Sequence, residues 1–283
     1  MRLNRFREKA MQGVFFLTAV TSIAAVVIIC IFLFCNGVPA MAEIGFFDFV
    51  GGQKWAPTNV PASYGIFDMI IASIYVTAGA IIIGVPIGIL TAVFLARFCP
   101  APLYKVLKPA TELLAGIPSI VYGLFGMLFF VYALNWGYSL LAGAFTLAIM
   151  VLPTIMRTTE EALLTVPDSY REGSYGLGSG KLRTIMRIIL PSAMPGILAG
   201  IILAVGRIVG ETAALIYTYG SATGYAAGPL NSGRSLAVHM YVLTNEGLHT
   251  DQAWGTAVVL LVLVFAINTL SAFVAKKLGN NKK

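Results

Sequence analysis

Charged residues are scarce in this 283-residue chain: Asp, Glu, Lys and Arg together make up 11% of it, against roughly 25% in soluble domains. With 58% hydrophobic residues and a mean hydropathy of +0.85, a soluble globular fold is excluded. Histidine is scarcer still. The two copies, His239 and His249, have no metal-ligand spacing, and a lone histidine beside an external loop reads as a surface or interface residue. Cys30, Cys35 and Cys99 lie in apolar stretches and form neither a metal pattern nor a disulfide framework, so they read as small packing residues. There is no phosphate-cradling P-loop, no Ser/His/Asp set and no zinc pattern, which excludes ATP hydrolysis by this chain and the corresponding hydrolases. Glu160 and Glu161 are not a catalytic pair, because nothing apolar surrounds them to shift a pKa; they read as solvated acids. No fixed-period repeat and no low-complexity tract is present.

What the chain does have is long runs without charge, each of about 20 residues or more, the length needed to cross a bilayer. They place spans at approximately 12–35, 67–96, 112–134, 138–156, 191–219 and 252–275. The third and fourth come from one charge-free window, 113–156, divided at Asn135-Trp136-Gly137. At about 1.5 Å per residue that window is long enough for two crossings of a core ~30 Å thick. The fold class is therefore an all-α integral membrane protein of six transmembrane helices, with residues 1–283 forming a single membrane domain. Segments 36–65 and 220–250 are external, the second turn-rich and then helical, and 157–190 is a polar loop on the opposite side. Orientation follows from Lys and Arg. The N-terminus (Arg2, Arg5, Arg7, Lys9), the second loop (Arg97, Lys105, Lys108), the fourth loop (Arg157, Arg171, Lys181, Arg183, Arg187) and the tail (Lys276, Lys277, Lys282, Lys283) carry all but three of the 19 basic residues. Both termini are expected in the cytoplasm of a cell (plasma or inner) membrane protein. The same asymmetry accounts for the net charge of +7, so no nucleic-acid partner is implied. Ala40-Met41-Ala42 has the look of a cleavage site, but the preceding apolar run far exceeds a signal segment of about 7–15 residues, and an uncleaved anchor is expected.

Two features inside this framework carry chemistry. The third span contains Ala115-Gly116-Ile117-Pro118-Ser119, where Pro118 frees a backbone carbonyl and must kink or break the helix. A break at membrane depth is accepted only where the backbone is buried in protein or lines a cavity. Gly116, Ser119, Gly123 and Gly126 recur at three- and four-residue spacing, a small-residue face for close helix approach. Further Gly/Pro interruptions occur at Gly84-Val85-Pro86-Ile87-Gly88 and Pro195-Gly196. Glu112, at the expected start of the third span, suits a helix N-terminus. The second feature is Gly206-Arg207-Ile208-Val209-Gly210-Glu211-Thr212. Arg207 and Glu211 are the only ionisable residues well inside an expected span; four apart, they share one helix face. A charge there costs from about 2.5 kcal/mol upward and faces a cavity or a partner. The Arg207 guanidinium is a planar fork suited to an oxyanion, while Glu211 either pairs with it when the site is empty or accepts a bond from a protonated oxyanion.

The polar segment Glu172–Pro191 reads E-x-x-x(3)-G-x(9)-I-x-L-P, with Glu172, Gly178, Ile188, Leu190 and Pro191 in place. Its spacing resembles the cytoplasmic coupling loop of ABC-importer permeases. A short helix ending in a glycine-containing turn (Gly176, Gly178, Gly180) can dock in a groove of a separate ATPase, and Pro191 is tolerated at the first position of the next helix. Gly173-Ser174 stands where that family usually has Ala-Ala, keeping small residues for docking.

With Leu114–Gly123 (LAGIPSIVYG), Leu152–Leu163 (LPTIMRTTEEAL), the coupling loop and Gly206–Thr212 in hand, the chain resembles the phosphate-specific (Pst) ABC-importer permeases over nearly its whole length. The Arg-x-x-Gly-Glu pattern is also similar to sulfate and molybdate permeases. Two paralogous permeases pair in such systems: Trp55-Ala56-Pro57 and Tyr64-Gly65-Ile66 look like the PstC type, Ser235–Tyr241 more like the PstA type, and PstC is the choice made. The resemblance implies a type I importer permease fold and alternating access. It implies a pathway through Arg207, Glu211, Thr212, Gly206, Gly210, Pro118 and Ser119, and coupling through Glu172, Gly173, Ser174, Gly178, Ile188, Leu190 and Pro191. Its partners would be a second permease of the PstA type, an ATPase dimer and an extracytoplasmic phosphate-binding protein. No cofactor or metal is expected on this chain; ATP and Mg would be used by the ATPase. A channel or secondary transporter working without ATP is the reading of a different class, and the coupling loop argues against it.

Overall fold

A computed structural model describes residues 2–224 and 228–280. In chain order it contains α1 (Arg2–Ile44), α2 (Phe46–Gly51), β1 (Trp55–Ala56), β2 (Ser63–Tyr64), α3 (Phe67–Val93), α4 (Ala101–Ala115), α5 (Ser119–Gly126), α6 (Leu140–Leu164), α7 (Asp168–Gly176), α8 (Lys181–Thr184), α9 (Leu190–Val209), α10 (Ala213–Thr218), α11 (Leu236–Glu246) and α12 (Thr250–Asn280). Three π-turned stretches, Phe94–Phe98, Met127–Ala133 and Ile185–Ile189, extend α3 and α5 and lead into α9. Lys282, Lys283 and 225–227 of the second external segment lie outside the described residues, as do the side chains of Arg2, Arg5, Lys276 and Lys277.

Five runs are long and apolar enough to cross a membrane: Arg7–Ile44, Phe67–Phe98, Leu140–Leu164, Lys181–Val209 and Thr250–Phe273. The sixth candidate is a bent pair. Ala101–Ala115 and Ser119–Ala133 meet at 97°, so the third span is not the continuous 112–134. Pro118 is the cause: it cannot donate to Leu114, and the carbonyl so released accepts from the Tyr122 hydroxyl at 2.7 Å. Glu112 consequently lies in the last turn of α4 rather than at a helix start. Other boundaries move because charged residues at a helix end are compatible with helix, whereas a hydropathy window stops at them. Thus α6 continues past 156 to Leu164, α1 continues past 35 to Ile44, and the fifth span starts at Lys181. Pro191 accordingly sits within a continuous helix rather than at its first turn. The preceding π-turn, in which Leu190 N–H bonds Ile185 carbonyl, is the kind of local widening by which a helix takes up a strained position. At its other end this span stops at Val209, short of 219, and the chain resumes as α10.

The helix α6 is the hub. Gly84 and Gly88 of α3 meet it so closely that a Cβ would lie 3.4 Å from the Ala148 carbonyl and 2.7 Å from Ile155 Cγ2. On the other side, a Cβ on Gly196 of α9 would lie 2.6 Å from Ala162 Cβ. The Gly/Pro stretches in α3 and α9 are therefore helix contacts, the small-residue packing of membrane bundles. Buried Val76, Leu147, Met150, Ile155, Ile208, Leu215 and Tyr219 share one core.

The bent segment is fixed to this hub by an ion pair. Glu160 on α6 is only 2% exposed; its carboxylate accepts from Tyr104 Oη at 2.7 Å and from Lys108 Nζ at 2.6 Å, both on α4. Glu160 is thus not a solvated acid, whereas exposed Glu161 pairs with Arg157 one turn away. Replacing Glu160 with Ala should lower stability by about 1–3 kcal/mol, less than a fully buried pair because Lys108 still reaches water. Thermal unfolding of the detergent-solubilised chain measures it, with an unchanged midpoint ruling out a clamp.

At one end of the bundle segments 36–65 and 220–250 join. Trp55 of the β1–β2 hairpin packs edge-on to His239 of α11 at 4.3 Å and to Tyr64 at 5.6 Å. His239 is wholly buried, not a surface residue, and its Nδ1 lies 3.2 Å from Arg234 Nη1. Burial, reinforced by the Arg234 charge, holds its pKa down at about 3. The folded protein keeps His239 neutral while the unfolded chain protonates near 6.5, so stability is full above that value and is lost as pH falls below it. Between pH 7 and 5 the loss should be about 2 kcal/mol, at ~1.4 kcal/mol per unit. Melting curves against pH should flatten in His239→Gln; an identical slope would remove His239 as the source.

Candidate substrate pathway and coupling surface

The two broken segments meet. On α5, Gly123 abuts α10 so tightly that a Cβ would lie 2.8 Å from Ala214 Cα. Gly126, one turn on, faces Thr146 of α6 and Thr218 of α10. Of the small-residue series, Gly123 and Gly126 make the close approach; Gly116 lies in the break itself and is exposed. Ile117, between the breaks, packs against the core that holds Ile208, Ala214 and Tyr122. Two interrupted helices in contact concentrate irregular backbone at membrane depth, which the bilayer tolerates only against protein or a cavity.

Arg207 stands at this junction. In the last turns of α9, Ala204, Val205, Ile208 and Val209 are buried while Leu203, Arg207 and Gly210 are exposed, a stripe at i, i+4, i+7 facing away from the core. Gly206 turns to α12 instead, where a Cβ would lie 3.7 Å from Asn268 Nδ2. Arg207 makes no ion pair among the described residues. Pro118 is exposed and Ser119 half-buried at the start of α5.

The expectation that Arg207 and Glu211 share a helix face is not met. The helix ends at Val209, with Gly210 as its cap, so the i, i+4 relation is broken. Glu211 is 9% exposed and its Oε1 accepts from Ala214 N–H at 3.1 Å, capping α10, whose first turn begins after Thr212. A carboxylate at a helix N-terminus satisfies free N–H groups and the local dipole. Glu211 is therefore occupied by its own backbone and leaves Arg207 free. Tyr122 is the residue that motif reading missed; its signal was a hydroxyl four residues after Pro118, within reach of the carbonyl the proline releases.

At the polar end, α7 is the expected short helix followed by a glycine turn. Gly178 has φ +80 and donates to the Tyr175 carbonyl at 2.9 Å. Leu177 at the tip is 90% exposed, and Glu172 and Gly173 are exposed beside it. Ser174 is different: it is buried, with its hydroxyl 2.8 Å from Thr184 Oγ1, so it latches α7 to α8 rather than facing outward. Ile188, Leu190 and Pro191 lie in the helix body above the loop, Leu190 packing with Ile185 and Ile189. The sequence-selected coupling residues thus divide into an exposed tip and an internal anchor. A separate apolar groove of about 540 Å³, lined by Leu33, Met240, Trp254 and Leu261, lies among α1, α11 and α12 and offers no cation.

Comparison with known proteins identifies the family. The chain is 33% identical to a probable ABC transporter permease protein, YqgI, of Bacillus subtilis, over 98% of this chain and 99% of that protein. It is 34% identical to the phosphate transport system permease protein PstA 1 of Mycobacterium tuberculosis over 74% of this chain and 70% of that one. It is 31% identical to the phosphate transport system permease protein PstC of Mesorhizobium japonicum over 88% and 84%. A bacterial alginate ABC transporter, solved with a pentasaccharide-bound periplasmic protein, superposes with a TM-score of 0.64 over 94% of this chain and 96% of that one, at 14% identity, a likeness of fold alone. Residues 84–281, starting in the second half of α3, match the family described as the binding-protein-dependent transport system inner membrane component, and to that family of ABC-importer permeases the protein belongs.

Proposed function

We propose that this chain is the PstC-type permease subunit of an ATP-driven importer of inorganic phosphate. The observation that carries the reading is Arg207, a guanidinium with no ion pair among the described residues, on the exposed face of α9 where two broken helices meet. In membrane carriers, interrupted helices at the midplane bind the substrate, and half-helix N-termini favour anions. Here the start of α5, with no side-chain cap of its own, supplies such an end beside Ser119. A tetrahedral oxyanion is what an Arg fork and free N–H groups recognise. Relatives named for phosphate transport support phosphate over other oxyanions, and the longer match to a PstC protein supports that type.

The remaining parts follow from alternating access. A PstA-type permease completes the pathway, and a phosphate-binding protein docks on segments 36–65 and 220–250. A dimer of ATPase subunits, using ATP and Mg, takes the coupling tip Glu172, Gly173, Leu177 and Gly178. ATP-driven closure of that dimer moves α7, and the Ser174–Thr184 and Ile185–Ile189 contacts pass the motion to α9, which carries Arg207. Both termini are cytoplasmic in this scheme.

Labelled-phosphate uptake at low external phosphate, in cells lacking this chain and in cells with it restored, tests the reading. Restored uptake that unlabelled sulfate and molybdate do not inhibit supports it. Uptake that survives deletion, in a strain with no second phosphate carrier, overturns it. Competition by sulfate or molybdate transfers the chain to another oxyanion.

A further inference from the structure

A second cationic site lies away from the pathway, at the foot of the bundle. A cavity of about 440 Å³ opens between the π-turned end of α3, the outward turn of α7 and the start of the fifth span. Three cations line it, Arg97, Arg171 and Lys181, against one carboxylate, Glu172. Two apolar walls, Ile185 and Ile189, close its membrane side. Arg97 is held from below: its Nη2 donates to the Leu163 carbonyl, while its Nε is buried with no partner among the described residues. Lys181 is held from the side, its ammonium 4.7 Å from the centroid of the Phe98 ring. Arg171 has only an exposed contact to Asp168 at 3.2 Å.

We infer that this cavity is a binding site for a phosphate group, placed where its occupant touches both the coupling helix and the two spans that flank it. The cations outnumber the carboxylate, so an anion is favoured. A buried guanidinium N–H without an acceptor costs free energy that an oxyanion would recover. The volume falls in the range of small-molecule pockets, roughly 300–1,000 Å³, and leaves room beyond one phosphate. Basic pockets between spans on the cytoplasmic side suit anionic lipid headgroups. Two sources offer the same chemistry: the headgroup of an anionic phospholipid, or free phosphate on the cytoplasmic side. This site is independent of Arg207 and does not need the substrate assignment.

The test uses the purified full chain in detergent, with phosphatidylglycerol in one arm and inorganic phosphate in the other. Retained phosphatidylglycerol is counted by native mass spectrometry. Inorganic phosphate is followed by thermal stabilisation in an Arg207→Ala background, so that the pathway does not contribute. Combined Arg97→Gln and Lys181→Gln should weaken one ligand at least about tenfold, as expected when charge-assisted bonds are lost. Loss in the first arm identifies a lipid site; loss in the second identifies a phosphate site. Lys181 is exposed, so Lys181→Gln alone carries the test if the double variant does not fold, and Lys181→Arg should restore binding. Equal binding by wild type and variant, or no binding of either ligand by wild type, overturns the inference.

Discussion

Arg207→Ala is expected to reduce phosphate uptake about 100-fold while leaving the amount of chain in the membrane unchanged. The reasoning starts from what Arg207 does not do. It holds no carboxylate among the described residues, because the helix stops at Val209 and Glu211 is engaged at the start of α10. Removing it therefore leaves no buried anion behind, and folding should not suffer. It does leave an oxyanion in the pathway without its fork of donors, two charge-assisted hydrogen bonds worth about 3 kcal/mol together, which is roughly 100-fold. Arg207→Lys, which keeps the charge but not the planar fork, should fall between the two. Uptake at wild-type rates in a well-expressed Arg207→Ala would reduce the residue to a structural charge. Glu211→Ala makes the contrasting case, since it should act through stability, by about 1 kcal/mol for a lost cap, rather than through substrate affinity.

That contrast shows where the sequence was legible. Membrane class, the number of crossings and the exposed turn after α7 follow from residues whose effect is local: charge-free length, Pro118, and a glycine turn closing a short helix. The break at Pro118 was legible for the same reason, since a missing N–H acts on the carbonyl four residues back whatever the rest of the chain does. Pairing was not legible. Glu160 looked solvated because its apolar and cationic neighbours, Tyr104 and Lys108, come from a segment more than fifty residues away that the 97° bend folds back over α6. His239 looked like a surface residue because Trp55 reaches it only after segments 36–65 and 220–250 join. Arg207 and Glu211 looked like partners because spacing assumes an unbroken helix, and Gly210, the residue noted for close approach, is where the helix ends.

The same division is what the proposed coupling scheme needs. The tip of α7 is exposed, whereas buried Ser174 and Thr184 are hydrogen-bonded to each other and buried Ile185 and Ile189 cluster with Ala193 and Ile197 at the base of α9. These contacts tie the loop to the base of α9, whose far end carries Arg207. The π-turn at Ile185–Ile189 lies between α8 and α9.

Gly178→Pro should break the route at its outer end. Gly178 has φ +80 and its N–H bonds the Tyr175 carbonyl; proline fixes φ near −65° and has no N–H. Neither the turn nor its hydrogen bond can form, at a cost of several kcal/mol confined to the tip, so the last turn of α7 unwinds or re-aims. Nothing lies within 4 Å of the position a Cβ would take at Gly178, so the damage is conformational and not steric, and the bundle should insert normally. Gly178→Ala then gives a graded control, since a left-handed alanine costs only about 1–2 kcal/mol. In the reconstituted complex the proline variant should lose more than about tenfold in uptake and in ATP hydrolysis stimulated by the binding protein, with alanine intermediate. Basal hydrolysis should persist, because the ATPase itself is untouched. Equal loss in alanine and proline variants would point to contact by the missing glycine surface, not to the turn, and full uptake by a well-expressed proline variant would take the coupling role away from this loop.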